Sequence, residues 1–512
     1  MVSEFPLTKI IATLGPASRT QEIIVKLNDE GVRVFRINFS HGSFEEYEDY
    51  LEKIRIAEKK TGIFVAVLGD LAGPKIRIGK VIKGGITIRE GEQLSIVKHS
   101  VTAGTKGYEK TISTNFPGFI DQVRTGEEIL IDDGNIRLHC SSVEGIENDK
   151  KLVCSVVTGG KLSSAKGINL PQTELTASAL TERDYQCIEF AAKNHFDYLA
   201  LSFVRQAEDI LLLKQKLEDL GARSEKSPER RGDLGFSKIP EGHEDFIPII
   251  AKIEKPQAIS NLEAIIRQTD AVMVARGDLG VEMDLADVAV LQKRIIHMCH
   301  HFGKPVIVAT HMLQSMIDAK TPTRAEVSDV ANAIFDGVDA VMLSGETAIG
   351  KYPLETVRIM QKVAERTSAY ITSVLTYSNL SLKKPPIGDS PEAISLGVQT
   401  IAANINPKFL VIWTNRGVSA VFLSQRRMPH PILAFSSYKS RLRKLSLMYG
   451  VKPFYMKTPP SGSTFIRETE KLLLKNKWVA KGDPVVIISS DPIHRKQLAN
   501  RIVIHHIGDK PA

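Results

Sequence analysis

The sequence predicts a TIM-type (β/α)8 barrel, interrupted by a small inserted β barrel and followed by a separate open α/β domain. Three observations carry that reading. Short β-branched runs alternate with helical stretches through the first three quarters of the chain, the mark of a parallel α/β fold. The interval between the third and fourth runs is far longer than one helix needs. From about residue 370 the pattern changes, after the linker-like Lys383-Lys384-Pro385-Pro386.

The candidate barrel strands begin near Lys9, Arg33, Ile63, Asp197, Pro248, Ala271, Pro305 and Asp339. Most are uninterrupted apolar runs, as strands buried on both faces require. Eight of them suggest closure, with a functional site at their C-terminal ends. The long interval holds alternating apolar positions and turn glycines, as in Gly85-Ile86-Thr87-Ile88 and Glu128-Ile129-Leu130-Ile131-Asp132-Asp133-Gly134, and reads as a β insertion above the barrel mouth. A second interruption, Arg223 to Glu244, is polar and rich in Gly and Pro; preceding the fifth strand, it is expected to be a surface loop on the face away from the chemistry. Beyond the linker, Lys408–Trp413, Pro431–Phe435, Val451–Met456, Pro484–Ser489 and Arg501–Ile507 read as strands of an open α/β sheet. The predicted domains are therefore 1–70 with 171–369 (barrel), 71–170 (insertion) and 370–512 (C-terminal).

At 512 residues the chain needs more than one hydrophobic core, and 43% hydrophobic with 25% charged residues is ordinary for globular domains. The four cysteines lie far apart with no Cys-x-x-Cys pair, which points to reduced thiols and a cytoplasmic setting. There is no apolar run of transmembrane length, so no membrane partner is expected. Net charge is +8, but basic residues are interleaved with acids, which favours anionic small-molecule sites over a nucleic-acid partner.

Reading only the strand ends concentrates the chemistry. The second ends in Arg36-Ile37-Asn38-Phe39-Ser40-His41-Gly42 and the third in Asp70, followed by Gly73-Pro74-Lys75-Ile76-Arg77. The fifth ends in Lys252-Ile253-Glu254, the sixth in Ala275-Arg276-Gly277-Asp278, the seventh in Thr310-His311 and the eighth in Ser344-Gly345-Glu346-Thr347. A period of two puts Lys252 and Glu254 on one face, costly unless paired, solvated or holding a ligand. Glu254 and Asp278 lie on adjacent strands, so two carboxylates can meet one cation, the usual protein share of a Mg²⁺ site. Arg36, Arg77 and Lys252 supply positive charge, and the set describes phosphoryl transfer. A buried ion-pair layer would explain Lys252 and Glu254 alone, but not six charged strand ends together.

The same residues resemble a known family. Ile249-Ile250-Ala251-Lys252-Ile253-Glu254-Lys255-Pro256 is similar to the active-site lysine signature of pyruvate kinases, and Thr8 to Ser18, Arg36 to Gly42, Lys166 to Pro171, Ala275 to Gly280, Ala309 to Leu313 and Met342 to Ala348 resemble that family too. The resemblance implies phosphoenolpyruvate and ADP as substrates, Mg²⁺ or Mn²⁺ as cofactor, and a homotetramer. It implies that Lys252 neutralises the phosphoryl group in flight, that Arg36 grips it, and that Glu254 and Asp278 hold the metal. The amides of Gly277 and Asp278 with the Thr310 hydroxyl would cradle the substrate carboxylate, and Thr310, Ser344 and Glu346 would order the water chain that protonates the enolate. Asn38, His41, Arg77 and Lys166 would face the nucleotide, beneath an insertion acting as a lid.

Two departures refine this. Family members that need K⁺ carry Glu where this chain has Lys75 and Thr where it has Leu71, so the chain resembles the K⁺-independent branch, with the Lys75 ammonium standing in for the monovalent cation. In the C-terminal domain, Thr414-Asn415-Arg416-Gly417-Val418-Ser419 matches the position of the family's sugar-phosphate loop without its Ser-Gly-Arg-Ser core, so activation by fructose bisphosphate is not implied. Two rival readings remain open at the level of sequence: a barrel lyase or aldolase working through a metal enolate, and a catalytically silent relative that senses metabolites.

Overall fold

The computed structural model describes residues 5–173, 178–223, 246–374, 390–493, 495 and 498–510. Eight parallel strands close into a barrel in sequence order: Lys9–Thr13, Val32–Asn38, Ala66–Asp70, Tyr198–Leu201, Ile249–Ile253, Ala271–Ala275, Val306–Ala309 and Ala340–Leu343. These are the eight runs expected from the sequence. The third starts three residues later than its apolar run, because the helix Phe44–Thr61 ends on Gly62 at φ 70° and the chain must first turn back to the barrel. Helix starts follow local chemistry: Ser43 with Glu46, Thr181 with Asp184 and Thr323 with Glu326 each form a reciprocal capping box.

The period of two sorts each barrel strand between two cores. Ile10, Phe35, Val67, Leu199, Ala251, Val272, Val308 and Val341 face outward into the layer shared with the helices. Ile11, Val34, Leu68, Ala200, Ile250, Met273, Ile307 and Met342 fill the barrel interior. Continuing the inner set by two residues along five of these strands reaches Thr13, Arg36, Asp70, Ser202 and Lys252, so the interior turns from apolar to polar at the C-terminal mouth.

The insertion after the third strand has its own core and a six-stranded sheet, ordered Ile168–Asn169, Glu128–Ile131, Ile136–Glu144, Lys151–Thr158, Gln93–Val97 and Thr111–Ser113. Its entry is tied down by Asp184, whose carboxylate accepts from the Ala72 amide at 2.9 Å. Cys140 and Cys154 are register partners in this sheet, and all four cysteines are buried free thiols. Of the expected polar loop from Arg223 to Glu244, Arg223 is not a surface residue: it is buried, 2.8 Å from Asp270 and stacked over Phe246. Residues 224–244 of that loop, and the linker at 383–386, lie outside the described residues. Among the described residues no helix is long and apolar enough to cross a membrane.

The C-terminal region forms a five-stranded sheet in the order Val451–Tyr455, Ile432–Ser436, Leu410–Trp413, Pro484–Ser489 and Arg501–His506, the last strand antiparallel. It closes the N-terminal end of the barrel. Asp339, wholly buried, accepts from Arg427 Nη1 at 2.9 Å, from the Val306 amide at 2.9 Å and from the Tyr449 amide at 3.1 Å. Tyr198, inside the barrel, donates its hydroxyl to the Lys444 carbonyl at 2.6 Å. The N-terminal segment crosses the same junction, with the Phe5 ring 5.1 Å from Phe409 and 4.9 Å from Trp478.

Removing the Asp339 carboxylate leaves Arg427 buried without its counter-charge. Asp339→Ala is therefore expected to cost about 3–5 kcal/mol in chemical denaturation, whereas Lys351→Ala, which breaks an exposed pair with Asp318, should stay within about 0.5 kcal/mol. Equal losses in the two variants would refute the hub role. Lys9 sits in the same interface, and burial, with Arg33 and Lys452 nearby, pushes its pKa down to about 7 from 10.5. The unfolded chain thus holds the extra proton between those two values, so this group's contribution to stability rises with pH across that window. Lys9→Met should raise the melting temperature at neutral pH and flatten the alkaline rise; an unchanged pH profile would count against it.

Candidate active site

The barrel mouth is organised around Asp70, the last residue of the third strand. Arg36 lies one strand away, and its Nε and Nη2 both reach Asp70 Oδ2 at 2.6 Å. Lys252 approaches from the fifth strand, its Nζ 3.2 Å from Asp70 Oδ1, 2.8 Å from Ser202 Oγ and 2.9 Å from Glu254 Oε1. Thr13, ending the first strand, accepts from Arg36 Nη1 at 3.0 Å. Glu254 is held from its other side by the Phe203 amide at 2.7 Å, and Phe203 adopts φ 54°, a left-handed backbone that a bulky residue takes only where its surroundings enforce it.

Electrostatics follow from burial and partners. Burial alone would raise the Asp70 carboxyl, but Lys252 and Arg36 outweigh it and hold its pKa below the usual range. Burial likewise opposes the Lys252 ammonium, yet Asp70 and Glu254 raise its pKa. Glu254 goes the other way: burial, reinforced by the charge of Asp278, raises its pKa despite Lys252. The site thus sets two cations, Arg36 and Lys252, against Asp70, with Lys252 shared by Glu254.

Two adjoining cavities open here. The smaller, about 70 Å³, is lined by Arg36, Asp70, Lys252, Asp278, Thr310 and Ser344, with Asn38 at its edge. The larger, about 350 Å³, runs between barrel and insertion, where Arg77, Lys166 and Lys255 meet Asp132 and Asp278. Lys75 and Asp278 line both. Arg77 Nη1 donates to the Ala165 carbonyl at 2.9 Å, and Lys166 Nζ pairs with Asp132 Oδ1 at 2.6 Å.

Of the remaining sequence-predicted residues, Gly277, His41 and Glu346 line neither cavity. The Gly277 amide, at the start of the helix Arg276–Glu282, donates to Thr310 Oγ1 at 2.7 Å, and that hydroxyl donates in turn to the Ala309 carbonyl at 2.6 Å. Thr310 and His311 both adopt positive φ, 68° and 54°. Glu346 is buried behind the mouth, its carboxylate accepting from the Ser344 amide at 2.7 Å and the Leu313 amide at 3.2 Å, so it fixes Ser344 and is not a wall of either cavity. The His41 pKa is lowered by burial and by Lys75, Arg77 and Arg36. Asn38 turns its Oδ1 back to the Ser40 amide at 3.1 Å.

Sequence reasoning assigned no role to Asp70, Thr13 or Ser202, the residues that hold Arg36 and Lys252. A signal existed: each lies two residues beyond an interior apolar position, on the face that carries Lys252.

Known proteins match this arrangement from end to end. The family model for the pyruvate kinase barrel domain matches residues 5–225 and 235–357, and that for the pyruvate kinase alpha/beta domain matches residues 392–505. Pyruvate kinases of Mycobacterium intracellulare and Thermococcus litoralis are each 38% identical, with 98% of this chain and 98% of the relative covered. That of Geobacillus stearothermophilus is 37% identical over 98% of this chain and 80% of its own length. The crystal structure of a pyruvate kinase from Cryptosporidium parvum superposes with a TM-score of 0.85 at 31% identity, covering 99% of this chain and 97% of the other. On full-length sequence identity and shared architecture alike, the chain belongs to the pyruvate kinase family.

Proposed function

We propose that the chain transfers the phosphoryl group of phosphoenolpyruvate to ADP, giving ATP and pyruvate, the last step of glycolysis. The observation that carries this reading is the buried Arg36–Asp70–Lys252–Glu254 cluster at the mouth of a pyruvate kinase barrel, open to a second, cation-lined cavity. Such a cluster suits phosphoryl transfer, where catalysis is mostly positioning and charge neutralisation.

Each residue then has a task. Arg36, oriented by Asp70 and Thr13, grips the phosphoryl oxygens. Lys252, kept protonated by Asp70 and Glu254, neutralises the group as it passes from the enol oxygen to the ADP β-phosphate. The Thr310 hydroxyl, which occupies the Gly277 amide, gives up that donor to the substrate carboxylate, with the Asp278 amide beside it. Thr310 and Ser344, the latter fixed by Glu346, order the water that delivers a proton to the enolate carbon. Asn38, His41, Arg77 and Lys166 face the nucleotide, and the insertion acts as a lid that excludes water.

Glu254 and Asp278 fit a hard divalent cation, Mg²⁺ or Mn²⁺: both donors are carboxylates, near enough that the Asp278 charge adds to burial in raising the Glu254 pKa. When bound, that ion supplies charge neutralisation for the phosphoryl and enolate oxygens. Lys75, which lines both cavities, is proposed to replace a monovalent cation, so K⁺ is not required. We further propose domain limits of 1–70 with 171–369, 71–170 and 370–512, a homotetrameric assembly and a cytoplasmic location.

A coupled assay for pyruvate in K⁺-free buffer with Mg²⁺ tests the reaction, with Lys252→Met expected to lower kcat by about 10²–10³-fold or more. Absence of turnover with or without K⁺ would overturn the assignment. Adding K⁺ should change the wild-type rate by less than about twofold, whereas Lys75→Glu should depress K⁺-free turnover and recover with K⁺. A strong wild-type K⁺ requirement would remove Lys75 from its proposed role.

A further inference from the structure

Besides Asp184, a second buried carboxylate outside the catalytic cluster joins the insertion to the barrel. Glu282 ends the helix Arg276–Glu282, whose first turn carries Gly277 and Asp278. Its side chain is fully buried and makes a close ion pair with Lys255, the residue that follows Glu254. The same oxygen, Oε1, accepts from Asn169 Nδ2 at 2.9 Å, and Asn169 belongs to the insertion's strand Ile168–Asn169. Glu282 Oε2 is buried with no hydrogen-bond partner among the described residues. One carboxylate therefore links the segment bearing Asp278, the segment bearing Glu254 and the insertion.

A purely structural ion pair would not need the third member. Lys255 alone neutralises Glu282 within the barrel, while Asn169 adds a charge-assisted hydrogen bond across the boundary between the two units. Gly134 of the insertion also comes near this helix: a Cβ added there would lie 3.9 Å from Val281 Cγ1. Asn169 and Lys255 both line the larger cavity, together with Arg77 and Lys166 from the insertion and Asp278 from the barrel. The separation of those walls thus depends on what Glu282 holds.

We infer that Asn169 and Glu282 form the latch that sets the width of the nucleotide-facing cavity, acting as positioning residues for ADP. The inference rests on the phosphoryl-transfer reading above. It separates the two substrates: ADP needs both walls, whereas the Arg36–Asp70–Lys252 cluster is borne by the barrel alone. Breaking the latch should weaken ADP and spare phosphoenolpyruvate.

The test is a reciprocal rescue in the full chain. Asn169→Asp sets a second carboxylate against Glu282; Glu282→Gln in the same chain restores a donor to face it. Asn169→Asp is expected to raise KM for ADP about tenfold or more while KM for phosphoenolpyruvate stays within about twofold, and the double variant should return to within about threefold of Glu282→Gln alone. Asn169→Ala, which only deletes the donor, should move KM for ADP in the same direction, and serves if the charged variant does not fold. Unchanged KM for ADP in Asn169→Ala, or additive effects in the double variant, overturns the latch. Hydrogen exchange without substrate gives an independent arm: amides of 128–131 and 168–170 should exchange faster in Asn169→Asp and recover in the double variant, and unchanged exchange also overturns it. If wild type turns over no phosphoenolpyruvate, the reaction assignment fails, and the exchange arm still decides the latch.

Discussion

The carboxylate of Asp70 is shared by two cations that would otherwise repel each other, and the site is built on that sharing. Arg36 and Lys252 are both largely buried, on strands either side of the third and fourth. Two like charges so placed, without a counter-ion between them, would be driven apart or deprotonated. Asp70 offers one oxygen to each, and its own pKa falls as a result. Glu254 then shares Lys252 from the other side. Because the interior below is filled with Ile11, Leu68, Ala200 and Met273, these groups have no water beneath them and must satisfy one another or a ligand.

Much of this was legible in the sequence, for a definite reason. A closed parallel barrel imposes one geometric rule, period two along each strand, and one functional rule, chemistry at the C-terminal ends. Together they bring Arg36, Lys252, Asp278, Thr310 and Ser344 to one small cavity from five separate stretches of chain. The rule places residues but not their partners. It could not say that Glu346 turns away from the mouth to serve two backbone amides, nor that the Gly277 amide is occupied by Thr310. Arg223 was misread because composition marked the segment after it as polar loop, while its own salt bridge to Asp270 and its place over Phe246 are tertiary facts.

The insertion obeys a different logic. Its strands alternate cleanly and its core is its own, so its existence was readable from pattern alone. Polar side chains tie it to the barrel, among them Asp184 with the Ala72 amide, Thr173 with Glu127, and Glu282 with Asn169. Contacts of this kind leave no periodic trace.

The two ends of the barrel show how one chemistry is put to two uses. At the N-terminal end Asp339 is enclosed by donors: Arg427 reaches it through two nitrogens, and the Val306 and Tyr449 amides and the Gln425 side-chain amide also point at it. There the group joins barrel and C-terminal sheet. At the C-terminal end the cluster is left open. Lys252 is divided among Asp70, Ser202 and Glu254; Glu254, with Asp278 beside it, keeps a raised pKa; and a cavity adjoins Asp278. A buried ion pair enclosed on every side serves only to join elements, while one that borders a cavity can also meet a ligand. That difference in enclosure, more than the residue types themselves, separates the structural end of this barrel from its chemical end.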